Sequence, residues 1–345
     1  MGVNLKDLVI KKEISIKELR GKILAVDGYN NLYQYLTTIR SPDGLALTDL
    51  KGRVTSHLIG LFNRTTSLME EGLKLVFVFD GQPPKIKAKT LEKRRQLKQE
   101  ASLKLTQAEE AGDVEGMRKF YARTTVLTKE MLDHAKEVIT ALGLPIVQAP
   151  SEGEAQVSHM VKKGTAYASV SQDYDNLIFG CPVLIRNLSI TGKRKKTGKL
   201  GFQTVKPEII FLDEVLKKLK LNNDQLIVLA ILVGTDYNPG GVSGIGPKTA
   251  LKLLKDQGED FKSIFKKVEW KKNYPDLDWK EVFDTIKYIP VTDNYNLEWK
   301  PIQADKLITL LVKEYNFSED RVKSKLKKLV EESKKLGQKG LGNYF

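Results

Sequence analysis

The chain has 345 residues, 41% of them hydrophobic and 29% charged, which is typical of a globular protein with a substantial core. Its single cysteine, Cys181, excludes a disulfide framework and a cysteine-based zinc site, so we expect an intracellular protein. The excess of 57 basic over 43 acidic residues, a net charge of +14, favours nucleic acid over an anionic membrane surface as the partner.

Short apolar runs alternate with helical patterns along the chain. The intervening segments 54–71 and 128–143 have helical periodicity, and Gly143 closes the second. This alternation predicts an α/β fold with a mostly parallel central sheet and helices on both faces. The longest apolar run, 226–234, is too short to span a bilayer, and the N-terminus lacks a secretory signal. The predicted strands are 22–27, 74–80, 144–149, 166–171 and 182–187.

Acidic residues stand at or just after the ends of four of these strands, and one more acid follows the apolar helix. The carboxyl ends of parallel strands form the edge where such sheets bind ligands. Carboxylates gathered there would repel one another unless divalent cations were bound. Oxygen ligands suit Mg²⁺ or Mn²⁺, and two ions about 4 Å apart can clamp a phosphodiester. The seven acids are Asp27, Asp80, Glu152, Glu154, Asp173, Asp175 and Asp236.

Each acid also has a local structural interpretation. Ser151 and Glu154 fit a capping box, in which the glutamate only starts a helix. The two acids of 173–175 could be turn formers, and the strand-end aspartates could cap the following helices. The occurrence of all seven at matching positions in a basic protein favours the metal site.

A basic segment follows the second predicted strand. Residues 85–104 contain eight basic and two acidic side chains. The segment could be a solvated helix face. Alternatively, Lys87 and Arg94, seven positions apart, point the same way toward a phosphate. Because apolar residues are few and Gly112 interrupts the pattern, we expect 85–123 to form an arch that is mobile without DNA.

Residues 240–254 predict a helical hairpin. Gly244 and Gly246 permit a tight turn whose amides can approach a phosphate, and Lys248 adds charge to the first turn of the next helix. The alternative is a plain helix–turn–helix corner. The basic loop 191–199 either contacts phosphate or is a solvated hairpin tip. Residues after about 265 predict helices that pack back on the core, and 318–336 predicts a final helix before a short tail.

The ordered motifs of the chain resemble those of the flap endonucleases, and the chain length resembles that of the archaeal members. The resemblance covers nearly the whole chain and implies the α/β nuclease core of the related 5′ nucleases. It rests on VDGYN (26–30), VFDGQPP (78–84), APSEGEAQ (149–156), SQDYD (171–175), GTDYNPGGVSGIGPKTA (234–250) and a terminal Q-x-x-L-x-x-Y-F.

The resemblance implies two metal ions, Mg²⁺ with Mn²⁺ as a substitute, that activate a water and stabilise the scissile phosphate. It assigns Lys87 and Arg94 as catalytic cations at the foot of the arch and Tyr33 as an aromatic that stacks on a base. The hairpin would hold duplex DNA with the help of a monovalent cation. One metal group would be Asp27, Asp80, Glu152 and Glu154, and the other Asp173, Asp175 and Asp236. The DNA contacts would be Gly2, Tyr33, Lys85, Lys87, Arg94, Arg95, Gly244, Gly246 and Lys248.

The tail resembles the motif by which replication proteins dock on a sliding clamp. One turn of 3₁₀ helix would place Leu341, Tyr344 and Phe345 on one side as an apolar plug, with Gln338 completing the motif. The alternative is a frayed terminus.

The sequence therefore predicts a monomeric, structure-specific 5′ flap endonuclease with 5′–3′ exonuclease activity in DNA replication and repair. It would lie in the cytoplasm of a prokaryote, away from membranes. The alternatives are a related 5′–3′ exonuclease, a junction-resolving nuclease, a DNA-binding scaffold without catalysis, or a metal-dependent phosphatase. The scaffold has no need of seven clustered acids, and the phosphatase has no need of the hairpin.

The predicted organisation is one nuclease domain and a tail. The domain is 1–328, with core parts 1–105 and 124–265, arch 85–123, hairpin element 240–254 and C-terminal helices 266–328, and the end of the last helix and the clamp-binding tail are 329–345.

Overall fold

A computed structural model of the protein describes residues 3–41, 45–190, 192–195 and 202–341. In this part of the chain a mixed sheet of seven strands has the order β1-β9-β6-β5-β2-β3-β4, and β7 and β8 form a separate antiparallel pair. The five strands from β6 to β4 are parallel, whereas β9 runs antiparallel to both β6 and β1. The strands are β1 Lys12–Glu13, β2 Ile23–Asp27, β3 Lys74–Phe79, β4 Ile146–Gln148, β5 Ala168–Val170, β6 Val183–Arg186, β7 Gly192–Lys195, β8 Phe202–Val205 and β9 Glu208–Phe211.

Helices connect the strands and continue beyond them. Short 3₁₀ helices cover Ile16–Leu19, Lys85–Lys87 and Leu188–Ile190, and Ile308–Glu314 is a π-helix. The α-helices are α1 Gly28–Thr38, α2 Ser56–Glu70, α3 Ala88–Glu110, α4 Val114–Thr124, α5 Lys129–Ala141, α6 Gly153–Lys162, α7 Asp175–Ile178, α8 Leu212–Leu219, α9 Asn223–Val233, α10 Pro247–Gln257, α11 Phe261–Lys267, α12 Trp270–Asn273, α13 Trp279–Lys287, α14 Ala304–Leu307 and α15 Glu319–Leu341.

The alternation of side chains along β2 explains why helices cover both faces of the sheet. Leu24 and Val26 belong to the core that includes Leu61 of α2 and Val138 of α5. Ala25, between them, belongs to a different core with residues of α6. Because successive strand residues point to opposite faces, a fully apolar strand requires cover on both sides. The predicted α/β fold with a mostly parallel sheet is therefore confirmed.

The strand order changes direction between β2 and β5. From β2 the chain adds β3 and β4 on one side, and then crosses to place β5 and β6 on the other. Val26 of β2 pairs with Val170 of β5, so the residues after these strands emerge side by side. Such a switch point opens a crevice at the carboxyl ends of the strands.

Each of the five predicted strands is present, shortened by one to three residues at its ends. The sequence analysis missed β1 and β9. The two exposed residues of β1 become an edge strand only by pairing with β9, and β9 is a run of only four residues that pairs with β1 and β6. It expected the last helix to end near residue 336, but α15 continues to Leu341. No α-helix among the described residues is long and apolar enough to cross a membrane.

The segment predicted as the arch, 85–123, contains a short 3₁₀ helix and the two helices α3 and α4. α3 and α4 pack against each other, and Gly112 lies between them with a φ of +66°. Arg40 donates a hydrogen bond of 3.1 Å to Thr125 at the foot of α4, which ties this end of the pair to the chain after α1. The predicted mobility of the pair and the division of the chain into one domain and a tail stay predictions.

Candidate active site

The seven predicted acids converge at the carboxyl edge of the sheet, and we call them the acidic cluster. Asp27 ends β2, Asp80 follows β3, and Asp173 follows β5. Asp175 opens α7, and Asp236 lies after α9. The remaining two, Glu152 and Glu154, lie at the start of α6, one as its N-cap residue and the other in its first turn.

Burial and mutual repulsion dominate the electrostatics of the cluster. Burial raises the pKa of Asp27 well above its usual range, and the neighbouring Asp80 raises it further. The pKa of Glu154 is likewise raised by burial and then by Asp175 and Asp27. Burial raises the pKa of Asp175 to about 7, although the Val3 amide donates a hydrogen bond of 2.6 Å to its Oδ1. Carboxyls that come from different strands and helices are thus close enough to raise one another's pKa values.

Two cationic side chains from the arch reach the cluster. Lys87 Nζ lies 2.7 Å from Glu152 Oε2 and 3.4 Å from Asp236 Oδ2. The Arg94 guanidinium donates to Asp236 Oδ1. Burial alone would raise the pKa of Asp236, but Lys87 and Arg94 outweigh it and lower the pKa. Both cations point at the acids, as their spacing of seven positions allows, and their orientation toward a phosphate stays a prediction.

The acids differ in whether they cap the neighbouring helices. Asp27 does cap α1, because its Oδ1 accepts a hydrogen bond of 3.0 Å from the Asn30 amide. The N-cap residue of α6 is Glu152 rather than Ser151, and its side chain makes no capping hydrogen bond, so the alternative of a capping box formed by Ser151 and Glu154 is not realised. Asp80 accepts a 2.5 Å hydrogen bond from the Gly153 amide, which links the end of β3 to α6. Capping and clustering coexist at Asp27.

The donor set suits hard divalent cations, since it consists of carboxylate oxygens. Glu152 Oε1 is buried and has no hydrogen-bond partner among the described residues, which leaves a ligand atom available. In the same residues no three acidic, histidine or cysteine side chains are already spaced as ligands of one ion. A cation at Asp236 or at Glu152 Oε2 would compete with Lys87 and Arg94, whereas Glu152 Oε1 has no such competitor among the described residues.

The other predicted DNA contacts have varied surroundings. Tyr33 on α1 is half-buried, with Lys98 Nζ of α3 located 5.5 Å from its ring centroid. Lys85 is exposed beside Lys87. Arg95 is also exposed and pairs with Glu92 at 3.7 Å, so the structure does not bring it to the acids. Gly2 lies outside the described residues.

The hairpin presents an open surface. Gly244 has a φ of +76°, in the left-handed region that favours glycine, whereas Gly246 has a φ of −89° that any residue adopts. Neither position has an atom within 4 Å of an added Cβ. Gly246 caps α10 without a side-chain hydrogen bond, Pro247 takes the first helical position, and Lys248 is exposed. The backbone at this helix start therefore has open space beside both glycines.

The tail prediction falls mostly beyond the structure. Gln338 and Leu341 lie in the last turns of α15, where the backbone is helical. Tyr344 and Phe345 lie outside the described residues. Leu341, which the prediction placed in a 3₁₀ turn, belongs to the described part of α15.

Several site residues escaped the sequence analysis. Asn30 Nδ2 donates a hydrogen bond of 2.6 Å to Asp173, which lies 143 positions away in the sequence. Tyr29 lies near Asp80, which raises the pKa of the tyrosine after burial has done so. Tyr237 is buried next to four acids of the cluster, and burial is the main cause of its raised pKa. Their positions beside the acids in the sequence were the available signal, because Tyr29 and Asn30 lie in the first turn after Asp27 and Tyr237 directly follows Asp236.

Comparison with known families identifies the class of this fold and site. The family model described as the XPG N-terminal domain matches residues 1–101, and the XPG I-region matches residues 143–236. These two regions contain all seven acids of the cluster. The parallel sheet with the acidic cluster at its carboxyl edge is thus that of an XPG-type nuclease.

Similar proteins narrow the class. The chain is 48% identical over 345 residues to flap endonuclease 1 of Pyrococcus furiosus, covering 100% of this chain and 99% of that protein. It is also 48% identical to flap endonuclease 1 of Staphylothermus marinus, with 100% of both chains covered. The solved structure of flap endonuclease-1 from Methanococcus jannaschii superposes with a TM-score of 0.75 at 42% identity, covering 96% of this chain and 98% of that one. The chain belongs to the flap endonuclease family and is a nuclease that acts on DNA.

A more distant structure shares the fold. The catalytic core of Rad2 in complex with DNA substrate has a TM-score of 0.69 at 22% identity. It covers 95% of this chain. The resemblance to flap endonucleases expected from the motifs is confirmed.

Proposed function

We propose that the acidic cluster is the catalytic centre of a structure-specific 5′ flap endonuclease that hydrolyses DNA phosphodiesters at branch junctions. The carrying observation is the convergence of seven carboxylates and two arch cations at the switch-point crevice of a flap endonuclease chain. The enzyme would serve DNA replication and repair and would also have 5′–3′ exonuclease activity.

The carboxylates would hold two divalent cations, Mg²⁺ or Mn²⁺. One group would be Asp27, Asp80, Glu152 and Glu154, and the other Asp173, Asp175 and Asp236. Bound there, the cations supply water activation and neutralisation of charge at the scissile phosphate. Burial strengthens the tendency of the cluster to bind cations. A carboxyl whose pKa is raised by burial is stabilised most in its ionised form when a positive charge lies beside it.

Lys87 and Arg94 would stabilise the charge on the phosphate that is attacked. They enter the site from the start of the arch, so a strand that reaches the acids must pass beside them. A side chain that is already held by Glu152 or Asp236 needs little reorganisation to meet an incoming phosphate. Tyr33 would stack on a base next to the scissile bond.

The hairpin would hold the duplex behind the cleavage site. Open space beside Gly244 and Gly246 would let the DNA backbone approach their amides, and the exposed Lys248 would add a phosphate contact. Such contacts do not depend on the DNA sequence. A monovalent cation would assist binding at this hairpin. Lys85 and Arg95 would add phosphate contacts along the arch, and Gly2 would approach the DNA from the N-terminus.

The remaining part of the proposal concerns assembly. The chain would act as a monomer and would bind a sliding clamp through Gln338, Leu341, Tyr344 and Phe345. Its sequence motif supports this docking, and Gln338 and Leu341 lie in the last described turns of α15.

Cleavage of a panel of labelled DNAs tests the proposal. The panel contains a 5′ flap, a nick, a single strand, a 3′ flap and a four-way junction, each with Mg²⁺ or EDTA. We expect Mg²⁺-dependent cleavage at the base of the 5′ flap and weaker removal of nucleotides from the nick. Preference for the four-way junction would favour the junction-resolving alternative, and binding without cleavage would favour the scaffold.

A further inference from the structure

The loop that carries Asp236 is held by a residue from a segment in which the sequence showed no chemistry. This loop, residues 234–242, connects α9 to the hairpin. The Tyr274 hydroxyl oxygen lies 2.9 Å from the carbonyl oxygen of Gly241 and 3.1 Å from those of Asn238 and Pro239. Its single proton can be donated to one of these acceptors at a time, so the hydroxyl bridges the whole turn.

The ring of Tyr274 packs against a buried aromatic cluster. It stacks on Trp270 with ring centroids 4.4 Å apart, and Trp270 is 2% exposed. The Trp270 indole donates a hydrogen bond of 2.7 Å to the Leu277 carbonyl, and Phe265 packs edge-on against it. The packing of these rings therefore fixes the position of the Tyr274 hydroxyl.

The loop also has its own anchors to α9. Asn238 donates a hydrogen bond of 2.7 Å to the Ile231 carbonyl, and the Val242 amide donates one of 2.9 Å to the Leu232 carbonyl. Three loop carbonyls lie within hydrogen-bond distance of the Tyr274 hydroxyl, and that of Asn238 also accepts a hydrogen bond from the Gly241 amide. Asp236, two residues before Asn238, receives Arg94 and Lys87 from the arch.

The residue before the tyrosine extends the connection to the hairpin. Asn273 Oδ1 accepts a hydrogen bond of 3.1 Å from the Ser243 amide. The two adjacent residues 273 and 274 thus hold both the loop of Asp236 and the start of the hairpin turn.

We infer that Tyr274 is a positioning residue for cleavage, which holds the 234–242 loop so that Asp236 keeps its place relative to the other carboxylates and to the DNA-holding hairpin. The inference rests on the proposed role of Asp236 in the acidic cluster. The Tyr274 hydroxyl contacts the loop carbonyls, and it acts on Asp236 through them.

Tyr274→Phe tests this role, because it removes the hydroxyl and keeps the stacked ring. In metal-free protein, hydrogen exchange of the amides of 235–242 should become about fivefold faster, with other segments unchanged. The Mg²⁺ concentration for half-maximal cleavage of a 5′ flap should rise by a similar factor, and flap affinity in EDTA should stay the same. The matched control is Tyr288→Phe, at an exposed tyrosine after α13, which should change none of these quantities.

Wild-type loop exchange together with a wild-type Mg²⁺ requirement in Tyr274→Phe would overturn the inference. Faster exchange throughout the protein would also overturn it, since this result would mean a general loss of stability. Asp236→Asn distinguishes a failure of the proposed function from a failure of the positioning role of Tyr274. If Asp236→Asn cleaves normally, the proposed function fails. If it is inactive while Tyr274→Phe behaves as wild type, only the positioning role fails.

Discussion

The acidic cluster and the hairpin hold their charges in opposite ways. Asp27 and Asp175 in the cluster are only 5% and 7% exposed, and their pKa values are raised because burial and neighbouring carboxyls disfavour ionisation. Lys248 and the two glycines of the hairpin are exposed, and no neighbouring atom fills the space beside Gly244 or Gly246. A substitution in a buried group of interacting charges affects all of its members, whereas a substitution of an exposed side chain removes only that side chain's own contact. Changes in the cluster should therefore alter chemistry, and changes in the hairpin should alter binding.

Asp175→Asn should have the largest effect. It removes one anionic ligand and keeps an acceptor for the Val3 amide, so cleavage of a 5′ flap should fall on the order of a thousandfold while flap affinity changes little. Single-turnover cleavage and fluorescence anisotropy measure the two quantities. Asp305→Asn, at an exposed position on α14, is the matched control. Substantial Mg²⁺-dependent turnover by Asp175→Asn would refute the two-metal assignment.

The buried cluster should also make stability depend on pH. The folded-state pKa of Asp175, about 7, lies above its ordinary value of 3.8, so folding favours the protonated carboxyl. This contribution to stability is fully present below the unfolded pKa and is lost as the pH rises through 7. In EDTA, the unfolding free energy of wild type relative to Asp175→Asn should fall across this window by at most about 1.4 kcal/mol per pH unit.

Denaturant titrations of both proteins from pH 4 to 8 measure that difference. The Lys248→Ala protein serves as a control, because an exposed lysine adds no buried titrating group. A constant difference between wild type and Asp175→Asn would mean that Asp175 ionises normally in the fold.

Lys87→Ala and Arg94→Ala should each lower single-turnover cleavage by about tenfold to a hundredfold at saturating DNA, since these cations act where charge develops. Binding should weaken much less. Lys93→Ala removes an exposed cation next to Arg94 and should leave the cleavage rate unchanged. Normal cleavage at saturation with weakened affinity would make either residue an ordinary phosphate contact.

For the hairpin the opposite pattern is expected. Lys248→Ala should weaken binding to all duplex sequences and reduce the slope of log affinity against log salt by about one, as for the loss of one phosphate contact. Lys255→Ala, in the last turn of the same helix, is the control. If Lys248→Ala leaves the slope unchanged in a salt titration, this lysine does not lie in the DNA interface.

The tail should matter least for the isolated enzyme. Deleting residues 338–345, or replacing Tyr344 and Phe345 by alanine, should hardly change folding stability or cleavage of a small flap substrate. Stimulation by the cognate sliding clamp should fall sharply, because buried aromatic anchors dominate small interfaces. Calorimetry with the clamp checks this, with micromolar affinity expected for the intact chain. Equal affinity of intact and truncated proteins would show that the terminal motif is accidental.

Much of this architecture was predictable because it depends on local pattern. The apolar runs and helical periodicity identified the five parallel strands, and the position of acids after those strands identified the cluster. The edge strand β1 was not predictable, because two exposed residues, Lys12 and Glu13, become a strand only by pairing with β9. The last helix was predicted too short, since α15 continues through Gly337 and Gly340, which have low helix propensity.

The sequence by itself determined which side chains could do the chemistry, since strand periodicity and the direction of parallel strands place acids at one edge. Only the tertiary structure decided how these side chains meet. The switch between β2 and β5 brings Asp27 beside Asp173, and the fold brings Asn30 to the same carboxylate. It also brings Arg94 to Asp236, 142 positions away, and Tyr274 to the loop after Asp236. The physical reason is that charge and hydrogen bonding act over a few ångströms of space, and only the packed chain determines which distant residues come that close.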